Sequence, residues 1–487
     1  MLDATSFSDW LTPDSPVIRQ AIRRASSPGF ESWWQRCAAV GFCASPIQAS
    51  AYDTDLGRRV AVMIRCGNRR AAVCPSCSDL YAADTWQLVH AGTEGGHHGM
   101  PDSTAARPQV FATLTAPSFG GVHTSSGGPG VDGTVCHPAG SSKTYCSHGK
   151  PMWCNSIHRS DEPEVGQPLC TECYDYTGHV LFNWHAPELW RRFTIGLRRA
   201  VARHLRHVGV DPGVLRVSFV KVVEYQRRAV VHFHTLIRLD RTDNDNSTTG
   251  KSDSPVSAIE LAALVRQAAQ RVQLPVAVSS PAGTAVASSP DSGARMLRFG
   301  TQIDIQPVTG HGDSGKPGLA RRVAAYLAKY TTKSVAEFGI AARRISPAAI
   351  GELDIPAHTR RILSTLAKLA ALPGNAAMLG WLHTLGYRGH ITTKSRRYSI
   401  TMTALRAARH HWRTRRPGQS KRVNRQWNPR DDEDYSSIAD ELSDWRIDGA
   451  GLRDDGERLL VHTAARQARQ HRYLARLECH DATRAGP

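Results

Sequence analysis

The clearest apolar patterning lies in the middle of the chain. Val110-Phe-Ala-Thr-Leu-Thr-Ala116 is β-branched, alternates and stops at Pro117, which predicts a strand. Leu215 to Tyr225 and Ala229 to Leu239 are two further strand-like runs, and the polar link Gln226-Arg-Arg228 joins them as a hairpin. Phe299 to Val308 predicts a fourth strand. Helical spacing marks Glu188 to Val208, where Leu189, Phe193, Leu197, Val201 and Leu205 share one face. It also marks Ile259 to Val272 and Leu319 to Ser334. From residue 109 to 335 the order is strand, insertion, helix, strand, strand, helix, strand, helix, and an antiparallel sheet with helices on one face is the simplest packing of it.

The remaining segments are less periodic. The first 35 residues read as helical, with Trp33 and Trp34 docking the helix on a core, and a Cys-rich stretch runs from Cys43 to Cys77. Residues 120 to 187 are rich in Gly, Cys, His and Trp, as in a metal-stapled insertion. Thr242 to Ser257 and Ser279 to Gly293 are Ser/Gly/Asp-rich and predict mobile loops. Beyond residue 335 the chain is mainly helical and basic, and Arg458 to Arg476 forms an Arg-rich amphipathic stretch. The fold expected is therefore α+β in three parts: an N-terminal helix and Cys-rich region (1–104), a sheet domain (105–335) with its Cys-rich insertion (120–187), and a helical basic C-terminal region (336–487).

Charge narrows the partner. The chain carries 61 Lys and Arg against 43 Asp and Glu, a formal net charge of +18. Such an excess points to an anionic partner, most commonly nucleic acid. No run of 18 apolar residues occurs and the first ten residues form no secretory signal, so a membrane role is not expected and the cytoplasm is. In that reducing compartment the 11 cysteines read as metal ligands rather than disulfides.

The hairpin carries chemistry. His232-Phe-His234 lies within its second strand, so both imidazoles project from one face and Phe233 from the other. A turn centred near Arg228 sets Glu224 opposite His232 on that face. Two imidazoles and a carboxylate make a mixed N/O site for a divalent cation, Mg2+, Mn2+ or Zn2+, with Mg2+ or Mn2+ the expected catalytic cofactor. With 22 histidines in 487 residues, about one His-x-His arises by chance. The weight therefore rests on the apolar strand, on Glu224 and on a second element. Tyr326 and Tyr330 are one helical turn apart in Leu319 to Ser334, with Lys329 and Lys333 beside them. A phenol is a poor nucleophile unless neighbouring cations stabilise its anion, and this set supplies them.

Two Cys-x-x-Cys turns, Cys74-Pro-Ser-Cys77 and Cys170-Thr-Glu-Cys173, predict structural zinc. The first closes with Cys66 and Cys43. The second closes with Cys146 and Cys154, with His148 or His158 as substitutes. Cys37, Cys136 and Cys479 stay unassigned. Arg388, Lys394, Arg396 and Arg397, with the run from Arg406 to Arg416, gather cations suited to a DNA backbone.

A tyrosine helix after a His-hydrophobic-His strand resembles the HUH endonucleases. Phe111-Ala-Thr-Leu-Thr, His232-Phe-His234 and Tyr326-Leu-Ala-Lys-Tyr330-Thr-Thr-Lys333 stand in the order of the three motifs of rolling-circle initiators. Four longer stretches resemble the RepSA-like replication initiators of actinobacterial plasmids and integrative elements. They are Cys66-Gly-Asn-Arg-Arg-Ala-Ala-Val-Cys-Pro-Ser-Cys77, Phe111-Ala-Thr-Leu-Thr-Ala-Pro-Ser-Phe-Gly120, Pro168-Leu-Cys-Thr-Glu-Cys-Tyr-Asp-Tyr176 and Gly386-Tyr-Arg-Gly-His-Ile-Thr-Thr-Lys-Ser-Arg-Arg-Tyr398. The resemblance implies metal binding by His232 and His234 and attack on an origin strand by a tyrosine. The product would be a 5′-phosphotyrosine and a free 3′-hydroxyl that primes a host polymerase, with a host helicase opening the duplex. Single-tyrosine relatives align their nucleophile with Tyr330. Glu224 as third ligand follows from the hairpin and from analogy to viral initiators. Two other readings stay open: a non-catalytic zinc-ribbon DNA-binding regulator, and a relaxase or transposase of the same superfamily.

Overall fold

The computed structural model describes residues 15–53, 57–125, 133–140, 144–242, 254–277, 294–308, 318–341, 343–414 and 445–484. In chain order its elements are α1 (Pro16–Ala25), α2 (Phe30–Ala39), β1 (Ile47–Asp53), β2 (Arg58–Ile64), α3 (Pro75–Glu94), β3 (Gln109–Leu114), α4 (Tyr176–His207), β4 (Leu215–Tyr225), β5 (Val231–Arg241), α5 (Ala258–Arg271), β6 (Leu274–Ala277), β7 (Ala294–Leu297), β8 (Ile303–Pro307), α6 (Leu319–Thr331), α7 (Ala357–Ala370), β9 (Thr392–Lys394), α8 (Met402–Thr414), β10 (Arg446–Ala450) and α9 (Asp455–Arg484). Helix and antiparallel sheet are mixed throughout.

The chain divides into two compact units, one of residues 1–85 with 402–487 and one of residues 86–401. This division cuts across the three segments drawn from the sequence, because segments distant in the chain share a core. In the first unit β1 pairs with β2 and also with β10, some 400 residues later, and Trp33, Cys37, Leu452 and Val461 are buried in one cluster. The predicted N-terminal helix is two helices, broken at Ser26–Gly29. Residues 1–14 lie outside the described residues, as do most of the two predicted mobile loops and the stretch from 415 to 444.

The second unit is built on a five-stranded antiparallel sheet ordered β8-β3-β5-β4-β9. Its two faces differ. Val217, Val223, Phe233, Ile237 and Leu239 are buried in the large core cluster with Leu189, Phe193 and Leu197 of α4 and Leu261 and Val265 of α5. Trp190 of α4 meets Phe233 edge to face at 5.6 Å. The other face carries Glu224, His232 and His234. The expectation of helices on one face is corrected here: α6 lies over the histidine face, where Tyr326 and Tyr330 pack on His234. Its buried residues (Val323, Ala324, Leu327, Ala328) recur at three and four, so one stripe docks and the tyrosines sit at its margin.

Two boundaries also move. α4 starts at Tyr176, not Glu188, and takes the last residues of the expected 120–187 insertion. Pro187, which has no N–H to donate, sits inside the helix. Burial of Val180, Leu181 and Phe182 N-terminal to it offsets the lost hydrogen bond. Asp175 caps the helix by accepting from Gly178 N at 2.9 Å. β9, inside the basic stretch expected to contact DNA, is an edge strand pairing Lys394 with Val220.

Candidate active site

The hairpin register sets the site. Gln226 N–H donates to Val230 O at 2.9 Å and Ala229 N–H to Gln226 O at 2.8 Å, closing the turn. Ala229 takes φ +66°, a conformation costly for a side chain with Cβ. Its carbonyl is held by His179 Nε2 and Asn183 Nδ2, both at 3.1 Å. The turn therefore has one register, and Glu224 falls directly opposite His232. Glu224 Oε2 lies 3.1 Å from His232 Nε2 and 3.0 Å from His234 Nε2.

β3 completes the trio's support. Thr113 is paired with His234 across the β3–β5 ladder. Its Oγ1 lies 3.1 Å from His234 Nδ1. That contact fixes the ring so that Nε2 faces Glu224. Phe111, two residues earlier and on the same face, stacks at 6.0 Å on the His234 ring. Sequence reasoning gave neither residue a role. Alternation along the Phe111–Thr115 motif could have done so once β3 was placed beside β5.

α6 delivers the tyrosines. Tyr326 Oη lies 3.3 Å from His234 Nε2, and the two phenol rings are 4.5 Å apart. Lys333 Nζ is 4.7 Å from the Tyr330 ring centre and Lys329 Nζ 5.7 Å. Lys333 also donates to Glu224 Oε1 at 3.0 Å, a link between helix and hairpin that the sequence did not suggest. Catalytic candidates from two elements thus share one polar cluster.

The electrostatics follow from this packing. Burial opposes ionisation of Glu224, but hydrogen bonds from His232 and His234 and the Lys333 ammonium outweigh it and hold the carboxyl at about 2. Burial pushes His234 below the ordinary histidine value, so its imidazole is neutral at pH 7. Tyr326 is pushed above the usual tyrosine range, first by burial and then by Tyr330 and Glu224. The donor set fits a divalent cation. The two Nε2 atoms and a carboxylate oxygen lie within 4.8 Å of one another. The carboxylate is ionised, and His232 Nδ1 is buried with no hydrogen-bond partner among the described residues.

Cysteines gather as well. Cys43, Cys66, Cys74 and Cys77 converge in the first unit. Cys43 Sγ lies 3.7 Å from Cys74 Sγ and 3.6 Å from Cys77 Sγ, near the ~3.8 Å edge of a tetrahedron with ~2.3 Å Zn–S bonds. Backbone N–H groups of Ala44 and Cys66 point at the Cys74 and Cys43 sulfurs, both at 3.3 Å. Cys37 is apart from them, beside Met63 Sδ at 3.8 Å, its thiol pushed up to about 12 by burial.

The second predicted set is corrected. Cys170 and Cys173 are joined by Cys146 and, in place of Cys154, by His148, which the sequence offered as a substitute. The turn that bonds Cys146 N–H to Lys150 O at 2.9 Å brings Cys146 and His148 to that site. The antiparallel pairing of Cys154 with His137 carries Cys154 away to Cys136. His148 Nδ1 stands 3.3 Å from Cys173 Sγ and 3.8 Å from Cys170 Sγ. Cys479 lies where no side chain is described.

The four residues expected to contact DNA are unlike one another. Arg396 and Arg397 are exposed. Arg388 is exposed with its guanidinium 4.7 Å from the Trp184 ring centre. Lys394 instead turns its ammonium to Ser399 O at 2.8 Å, and burial lowers it to about 8. A group so engaged is a structural cation before it is a phosphate contact.

A family model described as "Replication initiator protein, pSAM2" (RepSA) matches residues 29–466. The chain belongs to the RepSA family of replication initiators. A curated relative from Streptomyces ambofaciens, described as "Replication initiator protein", is 35% identical over 484 residues, covering 95% of this chain and 96% of its own. No solved structure matches. The match to this initiator family runs through the hairpin, the tyrosine helix and all of the Cys clusters. No described helix is long and apolar enough to cross a membrane.

Proposed function

We propose that this initiator is an HUH-type, metal-dependent single-strand endonuclease that starts rolling-circle replication of a plasmid or integrative element. Its substrate is DNA at a replication origin. One observation carries the reading: two tyrosines of α6 lie against the face on which Glu224, His232 and His234 converge. His232, His234 and Glu224 would hold Mg2+ or Mn2+, which when bound polarises the scissile phosphate and offsets charge in the transition state.

The protein groups then have distinct tasks. Tyr330 gives its phenolic proton to solvent water and its oxygen attacks phosphorus. The P–O3′ bond breaks in line, the 3′-oxygen takes up a proton, and the 5′-phosphate stays on the tyrosine. Lys329 and Lys333, which lie against the Tyr330 ring, stabilise the developing phenolate and phosphate charge. Tyr326, held at His234 and harder to ionise, is the acceptor for the second transfer that ends a replication round. Thr113 and Lys333 position the ligands. The free 3′-hydroxyl primes a host polymerase, a host helicase opens the duplex, and Arg388, Arg396 and Arg397 offer backbone contacts. The clusters Cys43/Cys66/Cys74/Cys77 and Cys146/His148/Cys170/Cys173 are structural zinc sites that brace the fold.

The test is incubation of the protein with labelled single-stranded origin DNA, with and without Mg2+ or Mn2+. A metal-dependent cut with protein covalently attached to the 5′ end is expected. DNA binding without cleavage or adduct would leave a zinc-ribbon regulator and remove the endonuclease.

A further inference from the structure

The correction at Cys154 exposes a third donor cluster, beyond the one or two structural zinc ions expected from the sequence. We propose that His123, Cys136, Cys154 and His158 hold a structural zinc ion that fastens the insertion to the hairpin turn beside the active site. Two cysteines and two histidines place their donor atoms within 4.8 Å of one another. His123 Nδ1 is 3.2 Å from His158 Nε2 and 3.8 Å from Cys136 Sγ, and Cys154 Sγ is 3.3 Å from His158 Nε2. A tetrahedron with ~2.1 Å Zn–N and ~2.3 Å Zn–S bonds has edges of about 3.4 to 3.8 Å, so small shifts around one ion satisfy all three separations.

The surroundings are those of metal ligands rather than of free thiols. His158 turns Nε2 to the cluster and donates from Nδ1 to Glu162 Oε2 at 2.9 Å. That arrangement orients a ligating imidazole and raises its basicity. The backbone N–H of Thr124 points at Cys136 Sγ at 3.2 Å, and His137 Nδ1 lies 3.1 Å from the same sulfur. His158 is 7% exposed although no regular helix or strand among the described residues covers this segment. An imidazole buried among irregular backbone has little apolar packing to hold it, and a metal supplies the missing cohesion.

The same residues explain where the ion would act. His123 exchanges two backbone hydrogen bonds with the strip beyond the cluster: its N–H donates to Gln167 O at 2.9 Å and its carbonyl accepts from Gly166 N at 2.8 Å. Gly166 has φ +91°, and a Cβ there would lie 2.4 Å from the Arg227 carbonyl carbon and oxygen. Only glycine lets the strip approach so closely. Arg227 belongs to the turn that sets the register of Glu224 against His232. The cluster, the strip and the turn also line one cleft of about 590 Å³, through His123, Gly166 and Arg228 among others. Zinc at this point holds one wall of that cleft against the catalytic hairpin.

The experiment uses the full chain with its native metals. Native protein is alkylated with and without a strong chelator, and each cysteine is followed by mass spectrometry while zinc is counted. Cys136 and Cys154 are expected to be shielded at first and to react once the chelator has removed zinc. Cys136→Ser with Cys154→Ser is expected to lower zinc by one equivalent relative to the parent, and His158→Cys to retain it. The count is a difference from the parent, so it stands whether or not the other two clusters hold zinc or the tyrosines cut DNA. Equal alkylation before and after chelation overturns the proposal. So does shielding that only a reductant relieves, which is a disulfide, and so does unchanged zinc content in the double variant. The parent measurement needs no variant to fold.

Discussion

Lys221 tests how this sheet separates its two faces. It lies on β4, on the opposite face of the strand from Glu224, and is 3% exposed. Its Nζ lies 4.9 Å from the Phe233 ring centre and 5.5 Å from that of Trp190, with Tyr387 Oη at 3.4 Å. Burial alone lowers it from 10.5 to about 7. At about 1.4 kcal/mol per unit, the drop from 10.5 to about 7 caps the penalty of this lysine at about 5 kcal/mol. Cation–π contact and structural relaxation reduce that cap. Lys221→Met keeps the stem and removes the charge, and Tyr387 keeps its bond to His390 O at 3.1 Å. The variant should therefore gain about 2 to 4 kcal/mol at pH 6. The pH sign follows from proton binding. The unfolded lysine holds its proton to pH 10.5 and the folded one to about 7, so between these values the unfolded chain binds more protons. Parent stability then rises with pH across that window, and the variant's advantage shrinks to under about 1 kcal/mol by pH 10. Urea unfolding of both proteins at pH 6 and pH 10 measures this. A variant less stable than the parent at pH 6, or an advantage that does not change with pH, would refute the reasoning.

Three further outcomes bear on the site. His232→Ala with His234→Ala should abolish origin nicking while leaving zinc content and the circular dichroism spectrum unchanged; undiminished cleavage would remove the pair from catalysis. Tyr330→Phe keeps ring packing and should lose the covalent DNA adduct, whereas Tyr326→Phe should form it and resolve it poorly. Mass spectrometry of the conjugate decides, and an adduct on Tyr326 would exchange the two roles. Cys74→Ser with Cys77→Ser should remove about one zinc and destabilise the unit containing residues 1–85, because a structural site contributes folding energy directly; full zinc retention in that variant would deny the site.

Local pattern determined much of this protein. Alternation with period two marked β3, β4 and β5, and a short polar link with one closing register placed Glu224 against His232. Helical spacing set Tyr326 and Tyr330 on one face, and Cys-x-x-Cys turns marked two cysteine clusters. Each of these rests on residues near in sequence, where covalent geometry limits the arrangements. What only the tertiary structure decided rests on distant residues. Thr113 meets His234, and Lys333 meets Glu224, because separate elements dock on one sheet face. The pairing of β1 with β10 joins chain ends that no local pattern relates. Pro187 stops a helix by local rule and is carried inside one by buried packing on either side. Cys154 changed partners for the same reason: its ligand set spans His123 to His158 through irregular backbone, where no periodicity exists to be read, and the bridge to His137 fixes where its sulfur points.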